Sequence, residues 1–163
     1  MNTYLSRFDA MADKAAAQVI AQYSTSFSLA VRTLPNPERT HIRNLYAVVR
    51  IADEIVDGTT TQANECPETA LDLYEEQVLH APAHRFHTDP VLHAWARTFR
   101  ECRLNEDHVR AFFASMRADL TQTTFTKQEL DTYIYGSAEV IGLMCLDVFL
   151  RGRDTPHRSE LED

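Results

Sequence analysis

Residues 45–57 read LYAVVRIADEIVD. On a helix, Leu45, Val48, Val49, Ala52, Ile55 and Val56 fill most of the circumference. Tyr46, Arg50, Asp53 and Asp57 recur at steps of four, three and four, which stacks them along one face. Glu54 is the remaining polar member of the segment. A polar stripe on an otherwise apolar helix points at water, a partner or a cavity. Such a helix belongs in a bundle, and the rest of the chain agrees: 163 residues contain only 4 Gly and 6 Pro, with no alternating strand pattern, internal repeat or low-complexity tract. The reading is one all-α domain over residues 1–163.

Two carboxylates one turn apart repel when both are ionised, by a few tenths of a kcal/mol in water and more where water is excluded. A divalent cation relieves that repulsion. Oxygen-only ligands suit Mg²⁺, which keeps waters and is completed by substrate phosphates, so two carboxylates suffice for the protein's share. Arg50, one turn before Asp53, places a guanidinium fork within reach of a phosphate oxygen. The plainer reading is a solvated face, since carboxylates four apart are common on exposed helices. Asp9 and Asp13 share the spacing and are read that way, as first-turn acids favoured by the helix dipole.

Working outward, a helix is expected over residues 8–23, ending in the hydroxyl-rich YSTSFS. The stripe-bearing helix is expected to start at Asn36-Pro37, with Asn capping and Pro in the first turn, and to stop at Gly58. TTTQANEC (59–66) reads as a polar loop, followed by a helix over 67–80 and the loop APAHRFHTD. Asp89-Pro90 opens a helix to about 103, and Asn105 caps another through about 120. The last helix, 127–150, has a capping box in Thr126 and Glu129 and a hydrophobic staple in Phe125 and Leu130. That helix is apolar on several sides and needs neighbours on several sides, from further helices, a partner chain or self-association.

The net charge of -8 argues against nucleic-acid binding and against adhesion to an anionic membrane. Cys66, Cys102 and Cys145 show neither a metal spacing nor a disulfide framework, which favours a reducing cytoplasm. The opening residues lack a signal-peptide core, and the longest apolar stretch, 140–150, is too short to span a bilayer. No transmembrane segment is expected. The seven His show no ligand spacing.

The run STSFSLAVRTLPNPERTHIRNLYAVVRIADEIVDG (24–58) resembles the first signature of the squalene/phytoene synthases, with its Ser-x-Ser-Phe start, Leu-Pro turn, Tyr-Ala-x-x-Arg step and Asp-x-x-x-Asp pair in order. YIYGSAEVIGLM (133–144) is similar to the family's Tyr-x-x-x-x-Ala-x-x-x-Gly helix, and FFASMRADLTQT resembles the bacterial phytoene synthases. The resemblance implies an isoprenoid-synthase helical bundle in which Mg²⁺ bridges Asp53 and Asp57 to a prenyl diphosphate, geranylgeranyl or farnesyl. Arg50 and Tyr46 would contact that diphosphate. Tyr23, Ser24, Thr25 and Ser26 would supply donors to phosphate oxygens, Phe27 would line the cavity, and Ser137, Ala138 and Gly142 would admit the prenyl chain. The implied reaction is a head-to-head condensation of two prenyl diphosphates through a cyclopropylcarbinyl diphosphate, in the cytoplasm or peripheral to a membrane through the lipid product. Read from the residues alone, Ser24–Ser26 end one helix and begin a turn, Gly136 to Gly142 serve close helix packing, and Tyr133 and Tyr135 belong to the core or its rim.

The chain departs from the pattern in two ways. Relatives are about twice as long and carry a second Asp-x-x-x-Asp, which nothing after Leu150 resembles; Asp154, Glu160, Glu162 and Asp163 lie in a polar tail. Glu139 stands where a small residue is usual, and is expected to face solvent or an interface. The bundle is therefore incomplete. Either the chain is a fragment of a synthase, or a second subunit supplies the other motif, or it is a catalytically silent helical partner or regulatory module that holds a prenyl diphosphate or a partner protein.

Overall fold

The computed structural model describes residues 2–151 of the chain, so the expected polar tail with Asp154, Glu160, Glu162 and Asp163 lies outside the described residues. Among the described residues nine α-helices follow one another: α1 (Tyr4–Tyr23), α2 (Thr25–Arg32), α3 (Glu38–Asp57), α4 (Thr59–Gln62), α5 (Pro67–His80), α6 (Pro90–Cys102), α7 (Glu106–Thr121), α8 (Lys127–Ile134) and α9 (Val140–Phe149). A 3₁₀ turn covers Ala81–Ala83, and a π turn, Tyr135–Glu139, joins α8 to α9. No strand occurs among the described residues.

The caps follow the sequence in most places. Asp89 accepts hydrogen bonds from the amides of Val91 and Leu92, Asn105 from that of Asp107, and Thr126 and Glu129 close a reciprocal capping box. Gly58 ends α3 at φ 134°, a backbone conformation that side chains resist. Several local expectations are corrected. The first helix starts four residues early, because Thr3 and Ser6 form a capping box without the usual Glu or Gln. Asn36 does not cap α3: its Oδ1 accepts from Thr40 Oγ1, the helix begins at Glu38, and the Asn36-Pro37 bond is cis. The polar segment after Gly58 holds the one-turn helix α4, with Thr60 buried. Phe125 stacks on Tyr133, centroids 5.3 Å apart, and Leu130 stays 43% exposed.

Helix α3 is the centre of the bundle, packed against α1, α5, α6, α7 and α9. Leu45, Val48 and Ala52 on α3 meet Leu71 and Val78 on α5, Trp95 on α6, Phe112 and Phe113 on α7, and Met144 and Val148 on α9 in one buried cluster. The Trp95 indole N–H donates to the Val78 carbonyl at 3.0 Å, so the largest buried ring has no orphan donor. A second cluster contains only alanine: Ala12 and Ala16 of α1, Ala47 of α3 and Ala94 of α6, all at most 1% exposed. Side chains that small let the three helices pack closely.

Asp9 and Asp13 are not first-turn acids. Both lie beyond the first turn and reach across the bundle: Asp9 binds His93 Nε2 of α6 at 2.6 Å and Arg85 of the preceding loop, while Asp13 pairs with Arg97 of α6 and accepts from Asn44 Nδ2 of α3 at 3.2 Å. They fasten α1 to the bundle. The helical run Lys127–Phe149 is continuous through the π turn and is long and apolar enough, by length and composition, to cross a membrane, so the expected length argument against a span does not hold. Its buried side, Val140, Met144, Asp147 and Val148, packs into the bundle.

Candidate functional site

The stripe on α3 is real, and its two carboxylates differ. Asp53 is half-buried. Burial pushes its carboxyl up to about 6, the negative charges of Asp57, Asp119 and Glu54 push the same way, and only Arg50 opposes them. Asp57, at the end of α3, is 63% exposed. Helical spacing brings the pair to one face, but the inner carboxylate alone carries the cost of desolvation.

Arg50 sits between them and the end of α1. Its Nη2 pairs with Glu54 Oε1 and lies 3.9 Å from Asp57 Oδ2, and its guanidinium carbon stands 4.5 Å above the Tyr23 ring. That cation–π contact joins Tyr23 to the stripe. Arg50 Nε is buried with no hydrogen-bond partner. The hydrogen bond that Arg50 donates to Glu54, first among several negative neighbours, raises the Arg50 pKa further.

Ser24 closes α1 and caps α2, accepting from the Phe27 amide at 3.3 Å. Thr25 and Ser26 are exposed in the first turn of α2. Phe27 lies 5.4 Å from Tyr46, ring to ring. The two rings wall an apolar groove between α2, α3 and α9, formed by adjoining recesses of about 70 and 220 Å³ that share Phe27, Ile42 and Cys145. Ile141 brings α9 into this wall. Ser137 is half-buried, Ala138 and Glu139 are exposed, and a Cβ on Gly142 would meet nothing within 4 Å. Close packing accounts for Gly136 but not for Gly142.

Two residues on other helices belong to the same surface. Tyr133, expected in the core or at its rim, is held above its usual pKa by the Asp119 carboxylate first, then by burial and by the charges of Asp53 and Asp57. Asp119 comes from α7 and Tyr133 from α8, so no spacing on α3 could have revealed them. Their only sequence signal was that each lies in a segment with family resemblance. Glu54 was visible but stood off the stripe. Among the described residues no group of three or more His, Cys, Asp or Glu is arranged to hold a metal; Asp53 and Asp57 remain a two-carboxylate set. A larger recess of about 400 Å³, lined by His80, His84 and His87 among others, lies away from the stripe. It lacks what the stripe combines, a half-buried carboxyl with raised pKa, an arginine and an apolar wall.

Comparisons with known proteins converge on one group. The family model for Squalene/phytoene synthase matches residues 20–162. The chain is 33% identical over 132 residues to a phytoene synthase of Arthrospira platensis, and 35% identical over 128 residues to a 15-cis-phytoene synthase of Synechocystis. These alignments cover 80% and 78% of the chain but 42% and 37% of the relatives, so the chain spans about two fifths of their length. Among solved structures, a dehydrosqualene synthase in complex with ligand superposes with TM-score 0.74 at 25% identity, covering 88% of this chain and 49% of that one.

Proposed function

Because the chain belongs to the squalene/phytoene synthase family, we propose that it forms the diphosphate-binding part of a head-to-head prenyltransferase, condensing two prenyl diphosphates through a cyclopropylcarbinyl diphosphate. The observation that carries this reading is Asp53: a half-buried carboxyl, pushed up to about 6, between Asp57 and Arg50 on α3, one turn beyond Val49 of the apolar groove. A solvated stripe has no reason to bury one of its acids.

The residues fit magnesium. Asp53 and Asp57 offer oxygen donors only, and the electrostatic cost at Asp53 is one that a cation would remove. Bound there, Mg²⁺ supplies charge neutralisation to the departing diphosphate. The chain's own groups do the rest. Arg50 and Tyr46 contact the diphosphate, Tyr23 backs the guanidinium, and Ser24, Thr25 and Ser26 present hydroxyls and the first-turn amides of α2. Phe27 and Tyr46, with Ser137, Ala138 and Gly142, receive the farnesyl or geranylgeranyl chain and keep water from an allylic cation.

A second aspartate-bearing helical unit, in the same polypeptide or another subunit, would cover the apolar groove where Phe27 and Phe149 are exposed. Three unpaired cysteines, Cys66, Cys102 and Cys145, support a reducing cytoplasm. The test is farnesyl or geranylgeranyl diphosphate binding by titration calorimetry, with and without Mg²⁺. Asp53→Asn and Asp57→Asn each remove the magnesium-dependent part, while Asp9→Asn leaves it. If the three variants behave alike, the stripe is not the site. Binding without turnover when a partner is supplied would point instead to a silent regulatory module.

A further inference from the structure

We propose that Glu54 is a positioning residue that holds Arg50 ready for the anion, through a clamp built from three helices. The inference deepens the diphosphate reading and rests on it, since Arg50 is the group being positioned.

Glu54 uses both carboxylate oxygens. Oε1 pairs with Arg50 Nη2, and Oε2 accepts from Thr59 Oγ1. Thr59 opens α4, and it reaches Glu54 because Gly58 turns the chain at φ 134° between α3 and α4. On the other side the Tyr23 ring lies under the guanidinium at 4.5 Å. Arg50 is thus gripped at one nitrogen and one face. Its Nε, buried and without an acceptor, is left unused.

A carboxylate beside an anion site works against binding unless its charge is spent elsewhere. Here it is spent, on Arg50 and on the Thr59 hydroxyl. In return, a side chain with many rotamers is fixed before the ligand arrives, so less freedom is lost on binding. The clamp also gives α4, a single turn in a polar segment, a reason to exist: it delivers Thr59.

The experiment measures farnesyl diphosphate binding in Mg²⁺ by the full chain, with each variant's thermal melt recorded alongside. Glu54→Ala is expected to weaken binding about tenfold, the range of a lost charged hydrogen-bond pair. Glu54→Gln, which keeps the shape and one acceptor oxygen for Arg50 while its NH2 can donate to the Thr59 hydroxyl, stays within about twofold of the parent. Thr59→Val shifts affinity in the same direction as Glu54→Ala but less. In an Arg50→Ala background, Glu54→Ala has no further effect, which a merely structural role would not produce. If Asp53→Asn abolishes binding yet Glu54→Ala leaves it unchanged, or weakens it equally without Arg50, the clamp is refuted and the diphosphate reading stands. If the parent chain does not bind, or Asp53→Asn binds like the parent, the diphosphate reading falls and the clamp with it.

Discussion

Asp53 and Asp9 are matching acids with opposite settings. Asp53 has a folded pKa of about 6 against an ordinary value of 3.8, so the folded chain holds that proton more tightly than the unfolded chain. Its contribution to stability is complete below 3.8 and is lost as pH rises through about 6. Asp53→Asn should therefore raise the melting temperature of the magnesium-free protein by a few degrees near neutral pH, with the gain vanishing toward pH 4, as scanning calorimetry can check. On the proposed magnesium role the same titration would govern the metal: magnesium affinity of the parent should fall below about pH 6, as the proton competes for the carboxylate. A pH-independent magnesium response would contradict this. Asp9 runs the other way. Burial pushes its carboxyl up, but hydrogen bonds from Arg85 and His93 outweigh burial and leave its pKa lowered. Its contribution is present above the ordinary carboxylate range and is lost as pH falls through the lowered value. Asp9→Asn should cost about 1–3 kcal/mol in denaturant unfolding at neutral pH, because His93 and Arg85 lose a charged partner.

Among the helices, the junction between α8 and α9 shows how a sequence motif becomes geometry. A Cβ on Gly136 would stand 1.9 Å from Ser115 Oγ and 2.4 Å from the Ala111 carbonyl, so the π turn can approach α7 only because that residue has no side chain. Ser115 Oγ donates to the Tyr133 carbonyl at 3.2 Å at the same crossing. Gly136→Ala should destabilise by about 1–3 kcal/mol, since backbone rather than a flexible tip must yield. Gly142→Ala meets open space on a helix and should stabilise by up to about 1 kcal/mol. Parallel melts of the two variants separate a glycine required by packing from one that faces open space. Equal effects would refute the distinction. These two positions look alike in the motif; what tells them apart is α7, more than fifteen residues upstream.

For the whole molecule, the all-α bundle and the stripe were legible because they repeat locally: caps at Asp89, Asn105 and Thr126, and the four–three–four spacing on α3. Helix α2 was not, because Ser24 serves as the end of one helix and the cap of the next, a junction too short to leave a composition signal. The roles of Asp9 and Asp13 were hidden for another reason: their partners His93 and Arg97 lie 84 residues away, and only the fold brings them near. Asp119 and Tyr133 joined the stripe in the same way. Consider, finally, the alanine contact of Ala12, Ala16, Ala47 and Ala94, which joins α1, α3 and α6. Alanine methyl groups set the spacing of those helices, and α3 carries the acidic pair. Widening that spacing with Ala47→Val would tilt α3, and the disturbance would register as altered magnesium and diphosphate affinity at a surface the substitution never touches.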